Sequence, residues 1–113
     1  MIYEIRNYHF DPSLFPAYQK WAANEAIPHL ARKLDLVGFW VSTSDSPEIL
    51  GQPHDALGVA NVTWIIRWND LEQRASVLPP IFASPEWGEI FSRVPGGMES
   101  YRRIEAKFAE SLA

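Results

Sequence analysis

The chain has 113 residues, 47% hydrophobic and 21% charged, with five Trp and no Cys. That length suits one domain with a proper core, and the missing Cys excludes a disulfide framework, a thiolate metal site, an iron–sulfur cluster and a Cys nucleophile. A net charge of −4 without a basic stripe argues against nucleic acid as a partner, and no apolar run reaches the length of a membrane span.

The opening Met1-Ile2-Tyr3-Glu4-Ile5-Arg6 lacks a signal peptide's apolar core, so a cytoplasmic protein without membrane attachment is expected. Residues 2–10 are β-branched and aromatic and read as a strand. Glu4, Arg6 and Tyr8 share one face of it, and Tyr3, Ile5, Asn7 and His9 the other. A strand covered on both sides, with satisfied polar groups along one of them, would look like this. Asp11-Pro12-Ser13 supplies helix-start chemistry, with Asp11 or Ser13 as N-cap and Pro16 within the first turn, where its missing N–H costs little. Leu14, Tyr18, Trp21 and Ala22 recur at helical spacing and place a helix over 13–33. Pro28 deletes a backbone bond inside it, which predicts a bend and a stripe of Ile27, Leu30 and Leu34 on a different side.

A second strand is expected over 36–43, with Gly38 marking a bulge or a close backbone approach. Residues 44–58 read as a long surface loop, and a third strand follows over 59–68. Asn69-Asp70-Leu71-Glu72 reads as a capping box, Asn69 capping and Glu72 reaching back, for a helix that ends near Leu78, before Pro79-Pro80. Ser84-Pro85-Glu86 caps a second short helix with a stripe of Trp87, Ile90, Phe91 and Val94, closed by Gly96-Gly97. The tail beyond Met98 fits a helix or a strand, and periodicity slightly prefers the helix. The order β-α-β-β-α nevertheless lacks one strand of a split βαβ pattern. On that topological ground the tail is read as a strand, giving an α+β domain: a ferredoxin-like βαββαβ antiparallel sheet with helices on one face.

Four segments in this order resemble the NIPSNAP family of the dimeric α/β-barrel superfamily. Tyr3-Glu4-Ile5-Arg6-Asn7-Tyr8 resembles its opening strand and Leu36-Val37-Gly38-Phe39-Trp40 its second. Trp64-Ile65-Ile66-Arg67-Trp68-Asn69-Asp70-Leu71, followed by Arg74, resembles its third strand and helix start. Ser84-Pro85-Glu86-Trp87 resembles the Trp-bearing segment before the last helix. Ile66 stands where the family usually has Trp, the 44–58 loop is longer and richer in Pro, and the family's C-terminal Pro-Phe-Ser stretch is absent. The resemblance implies one domain over 1–113 in a homodimer whose two sheets join into a barrel with helices outside. It implies no reaction, because the family has no agreed one. Superfamily relatives include cofactor-free monooxygenases, haem-degrading enzymes and lyases, and fold does not carry function.

Three groups of residues are candidates for chemistry. Glu25 and His29 are four apart on the first helix, in line with Tyr18, and could handle a proton, unless the Pro28 bend turns the pair to solvent. Arg6, beside Tyr8, and Arg67 on the third strand could hold an anionic ligand if their faces line the barrel; the simpler alternative is that Glu4 and an Arg satisfy each other. Trp40, Trp64, Trp68 and Trp87 could line an aromatic pocket between sheet and helices, or serve as core and dimer interface. His9, His29 and His54 are scattered over different elements, so neither a metal nor a haem is expected. Ser42, Ser44 and Ser46 lack a nucleophile elbow, and the sequon at Asn61-Val62-Thr63 falls in a strand and is set aside. Three readings follow: a binder of a small apolar or aromatic molecule in the sheet–helix cleft, a cofactor-free enzyme using Glu25, His29 and Tyr18, or an interaction module.

Overall fold

Alternation along the first strand decides which side of the sheet is covered. In a computed structural model describing residues 1–43, 45–52 and 55–113, β1 (Ile2–Phe10) is a central strand. It pairs antiparallel with β3 (Val62–Trp68) on one side and β4 (Tyr101–Ala109) on the other, and β2 (Leu36–Val41) pairs with β3, giving the order β2-β3-β1-β4. Glu4 lies opposite Ile66 and Phe108, Arg6 opposite Trp64 and Ala106, and Tyr8 opposite Val62 and Ile104. Directly paired residues share a face, so Glu4, Arg6, Tyr8, Val62, Trp64, Ile66 and Trp68 all look toward one layer. That layer is the helices, and all of these residues but Arg6 are buried. The fourth strand read from topology is present, and the architecture is the ferredoxin-like α+β sheet.

The other face of the sheet carries no helix; among the described residues only the 48–60 loop reaches it, at the end where His9 is buried and bonds the Gly58 carbonyl. It carries Tyr3, Ile5, Asn7, Trp40, Thr63, Ile65 and Arg67, paired as Tyr3 with Arg67, Ile5 with Ile65, Asn7 with Thr63 and Trp40 with Thr63. The molecule measures 38 × 37 × 19 Å, a slab of one sheet and one helical layer. Its radius of gyration, 14.9 Å, exceeds the roughly 13 Å of a rounded domain of this length.

Several local expectations shift for identifiable reasons. Asp11 is the N-cap, its carboxylate accepting from the Ser13 N–H, and a single 3₁₀ turn (Pro12–Leu14) leads into α1 (Phe15–Trp21). Pro28 does not turn the stripe away. A wide π turn (Ala22–Ala26) precedes α2 (Ile27–Lys33), with the Ile27 N–H bonded to the Ala22 carbonyl five residues back. The wide turn relieves the clash of the Pro28 ring with the preceding turn, and each of its residues advances through a smaller angle than in an α-helix. Ala26, His29 and Leu30 therefore stay on the buried side with Tyr18, Trp21 and Ala22.

β2 stops at Val41 and β3 starts at Val62, short of the expected 36–43 and 59–68. The Asn61 amide explains the late start: it donates to the Phe10 carbonyl and accepts from the Phe10 N–H, both at 2.9 Å, and so is committed to β1. The cap of α3 (Leu71–Phe82) sits one residue later than expected. Asp70 accepts from the Gln73 N–H at 2.8 Å, while Gln73, not Glu72, reaches back to the Asn69 N–H at 2.7 Å. The helix also runs through Pro79 and Pro80 to Phe82 instead of ending near Leu78. The two missing N–H groups would have bonded the carbonyls of Ala75 and Ser76, and all four residues are exposed, so water can take up the freed carbonyls. α4 (Pro85–Phe91) is capped by Ser84 as expected. Gly38 sits at a bulge, and a side chain there would run into the Trp40 ring.

Candidate functional site

Glu4 is the most confined polar residue of the sheet. Its carboxylate is wholly buried, yet each oxygen is bonded: Arg6 donates to Oε2 at 2.7 Å, Arg74 to Oε1 at 3.0 Å and Oε2 at 3.2 Å, and Trp68 to Oε1 at 3.0 Å. Burial by itself would raise the Glu4 pKa; the bonds from Arg74, Arg6 and Trp68, with the Arg6 charge, outweigh it and hold the carboxyl below its ordinary value. The expected charge matching of Glu4 with an Arg is thus realised twice over. Arg74 enters from the first turns of α3, which the Asp70 cap orients.

The register corrects the pairing of Arg6 with Arg67. Arg6 lies opposite Trp64 on the helix-facing side, whereas Arg67 lies opposite Tyr3 on the open side and donates to Asp35 at 2.7 Å. Residues three apart on β3 point to opposite faces, so one ligand cannot bridge the two guanidiniums. Arg6 instead donates from Nε to the Tyr8 hydroxyl at 2.8 Å, and its guanidinium stands 5.4 Å from the Trp64 ring centre, 5.6 Å from Tyr8 and 5.7 Å from Phe82.

Beside Arg6, between the sheet and the helices, lies a cavity of about 140 Å³. β1 contributes Arg6 and Tyr8, β3 contributes Trp64, the first helical segment contributes Tyr18, Trp21, Ala26 and Leu30, and α3 and α4 contribute Phe82, Trp87 and Phe91. Trp21 is fixed by donating to the Ile90 carbonyl at 2.9 Å, which ties α1 to the end of α4. Tyr101 stands within 6.2 Å of Tyr18, Tyr8 and Phe91, ring centre to ring centre, so the fourth strand closes one wall. Burial raises the Tyr18 phenol pKa strongly, helped by Tyr101 and Tyr8, and burial likewise raises that of Tyr101, so both stay protonated at neutral pH. Met98 and Ile104 are lining residues that are also exposed, and they mark the mouth.

The four expected Trp do not form one pocket. Trp64 and Trp87 line the cavity, Trp68 is spent on Glu4, and Trp40 lies on the open face of the sheet. Glu25, His29 and Tyr18 are not brought together either. Tyr18 lines the cavity; His29 is buried and stacked on Trp87 at 6.1 Å, its Nε2 without a partner; Glu25 is carried to the margin by the π turn and accepts from Arg93 at 2.6 Å. His9 donates from Nε2 to the Gly58 carbonyl at 3.1 Å, on the far face, and His54 and Ser44 lie outside the described residues. Among the described residues no cluster of three metal-ligating His, Asp or Glu side chains forms. Reasoning from sequence missed Phe82, because it ended the helix too early, and Tyr101, because the tail was ambiguous. It missed the part Arg74 plays at Glu4, for which the chain offers no local signal.

No protein-family model matches the sequence, and no curated protein does. Solved structures do. A NIPSNAP domain protein from Burkholderia xenovorans is 19% identical with a TM-score of 0.75, covering 100% of this chain and 96% of that one. A NIPSNAP family protein with unknown function from Agrobacterium tumefaciens is 24% identical with a TM-score of 0.74, covering 96% of this chain and 86% of that one. The fold is that of the NIPSNAP proteins. A putative antibiotic biosynthesis monooxygenase from Bacteroides thetaiotaomicron shares it more distantly, at 14% identity and a TM-score of 0.55, covering 100% of this chain and 90% of that one. The NIPSNAP resemblance read from the four sequence segments thus holds at the level of the fold, and these similar proteins assign no reaction to it.

Proposed function

We propose that this chain is a NIPSNAP-type homodimeric, cytoplasmic protein that binds a small aromatic molecule in its sheet–helix cavity. The observation that carries the binding is the cavity's size and wall: about 140 Å³, lined mostly by aromatic rings. An apolar cavity of roughly 150 Å³ takes up benzene, so the space suits one ring rather than two. The test is a thermal-unfolding screen of single-ring compounds, with Ala26→Leu as the control that fills the cavity from its helical wall. A ligand at ten times its Kd should stabilise the wild type by about 1.4 kcal/mol and leave the filled variant unmoved. Equal shifts in both proteins would defeat the reading.

The dimer is supported by the uncovered sheet face, on which Trp40 is 50% exposed beside the partly buried Tyr3, Ile5 and Ile65. Trp40→Glu should leave the protomer folded and shift the sedimentation coefficient from dimer to monomer; a monomeric wild type would remove the proposal. A role for Tyr18 in proton transfer is not favoured by its environment, since burial opposes loss of the phenol proton and keeps the phenolate base from forming.

A further inference from the structure

If the cavity binds a ring, its wall also selects the charge which that ring carries, an inference that rests on the proposed binding. Among the described residues the cavity wall carries one charged side chain, Arg6, and no carboxylate. The Arg6 side chain is 12% exposed. Its Nε serves Tyr8 and its Nη1 serves Glu4; Nη2 takes part in neither bond.

Glu4 cannot balance this guanidinium alone, because Arg74 holds both oxygens of the same carboxylate. Among the described residues no other carboxylate pairs with either Arg, so one positive charge in the cluster has no counterpart. Arg74 is 29% exposed and lies over Phe108, which is itself half in water, so solvent can accommodate its charge. Arg6 is ringed by Tyr8, Trp64 and Phe82 and faces the cavity. A desolvated cation is costly unless it is paired and hydrogen-bonded. The protonated hydroxyls of Tyr18 and Tyr101 bond to one another, which leaves one O–H between them as a further donor on the same wall. Donors and a cation face the space, and nothing anionic does.

We infer that the occupant is a one-ring aromatic carboxylate, whose ring fills the apolar cavity and whose carboxylate meets the free edge of Arg6. A monoanion matches the single uncompensated charge, where a phosphate dianion would exceed it. The planar carboxylate also suits the guanidinium fork. Glu4 then acts as a positioning residue: it fixes Arg6 from behind and leaves the forward edge for the ligand.

The test uses the full ¹⁵N-labelled chain and follows the Trp indole N–H resonances during titration with benzoate and with benzyl alcohol, its neutral counterpart. Trp21, Trp64 and Trp87 line the cavity and should move; Trp40, on the other face, is the internal control. Benzoate should bind at least about tenfold more tightly than benzyl alcohol, the worth of a hydrogen bond to a charged group. Arg6→Gln should abolish that preference, bringing the two affinities level with each other, and Arg6→Lys should recover part of it. Equal affinities in the wild type, or a preference unchanged in Arg6→Gln, would overturn the inference and leave the neutral cavity standing. Silence of the three indoles toward both compounds would overturn the cavity reading as well. Should Arg6→Gln fail to fold, the wild-type comparison of the two compounds decides by itself.

Discussion

On the helix-facing side of the sheet, Glu4 is wholly buried and both carboxylate oxygens are hydrogen-bonded by Arg6, Arg74 and Trp68. On the open side, Arg67 and Asp35 pair at nearly the same distance, 2.7 Å, with about half of each side chain in water. Chemically similar contacts thus sit in opposite dielectric surroundings. A lost partner on the covered side leaves charges that water cannot reach; on the open side water replaces the partner at once. The first ion pair belongs to the architecture of a cavity. The second decorates a surface that a partner protomer covers only in the proposed dimer.

Substitutions on the two sides should expose this difference most sharply at Glu4. Glu4→Gln removes the charge that two guanidiniums share, and urea denaturation should show a loss of about 3 kcal/mol. That is the low end for a broken buried pair, because Arg74 can turn to water. A loss no larger than that of a surface substitution would erase the contrast. Trp68→Phe keeps the ring and deletes one bond to the charged carboxylate, so about 2 kcal/mol is expected from the same measurement.

The contrast also has a pH signature. The Glu4 pKa in the folded protein lies below its ordinary value of 4.5. Its contribution to stability is therefore fully present above that value and is lost as pH falls through the lower, folded value. Urea midpoints measured from neutral pH down through this window should fall more steeply for the wild type than for Glu4→Gln, and parallel curves would show that Glu4 is not the group responsible. The smallest effect is expected at Arg67→Ala, whose urea midpoint in the isolated protomer should match the wild type within error. A marked drop there would mean that the open face is not solvated as described.

Local chemistry made much of this legible. Ser84-Pro85 caps a helix because a hydroxyl accepts from the Trp87 N–H and Pro lacks a donor that would be orphaned anyway. Alternation correctly put Glu4, Arg6 and Tyr8 on one face, because strand periodicity is independent of context. What failed was mostly non-local. Whether the Arg67 face or the Trp64 face of β3 joins Arg6 depends on pairing register, and a one-residue shift reverses it. Whether Pro79-Pro80 end a helix depends on whether the freed carbonyls reach water. An α-helical phase carried through Pro28 predicts a bend, whereas the π turn absorbs the ring and returns the stripe to the core.

Sequence alone determined the element types, the Ser84 cap, the four-strand topology and the resemblance that the solved NIPSNAP structures support, since these rest on periodicity, turn chemistry and element order. Only the tertiary structure decided that Arg74 shares Glu4 with Arg6, that Glu25 and His29 part company, and that Tyr101 and Phe82 close the cavity. Glu4 and Arg74 come from distant stretches of chain, and a contact of that kind is fixed by how layers pack and not by any local preference. The five Trp accordingly have three separate roles: three in the cavity wall, one at Glu4 and one on the uncovered face.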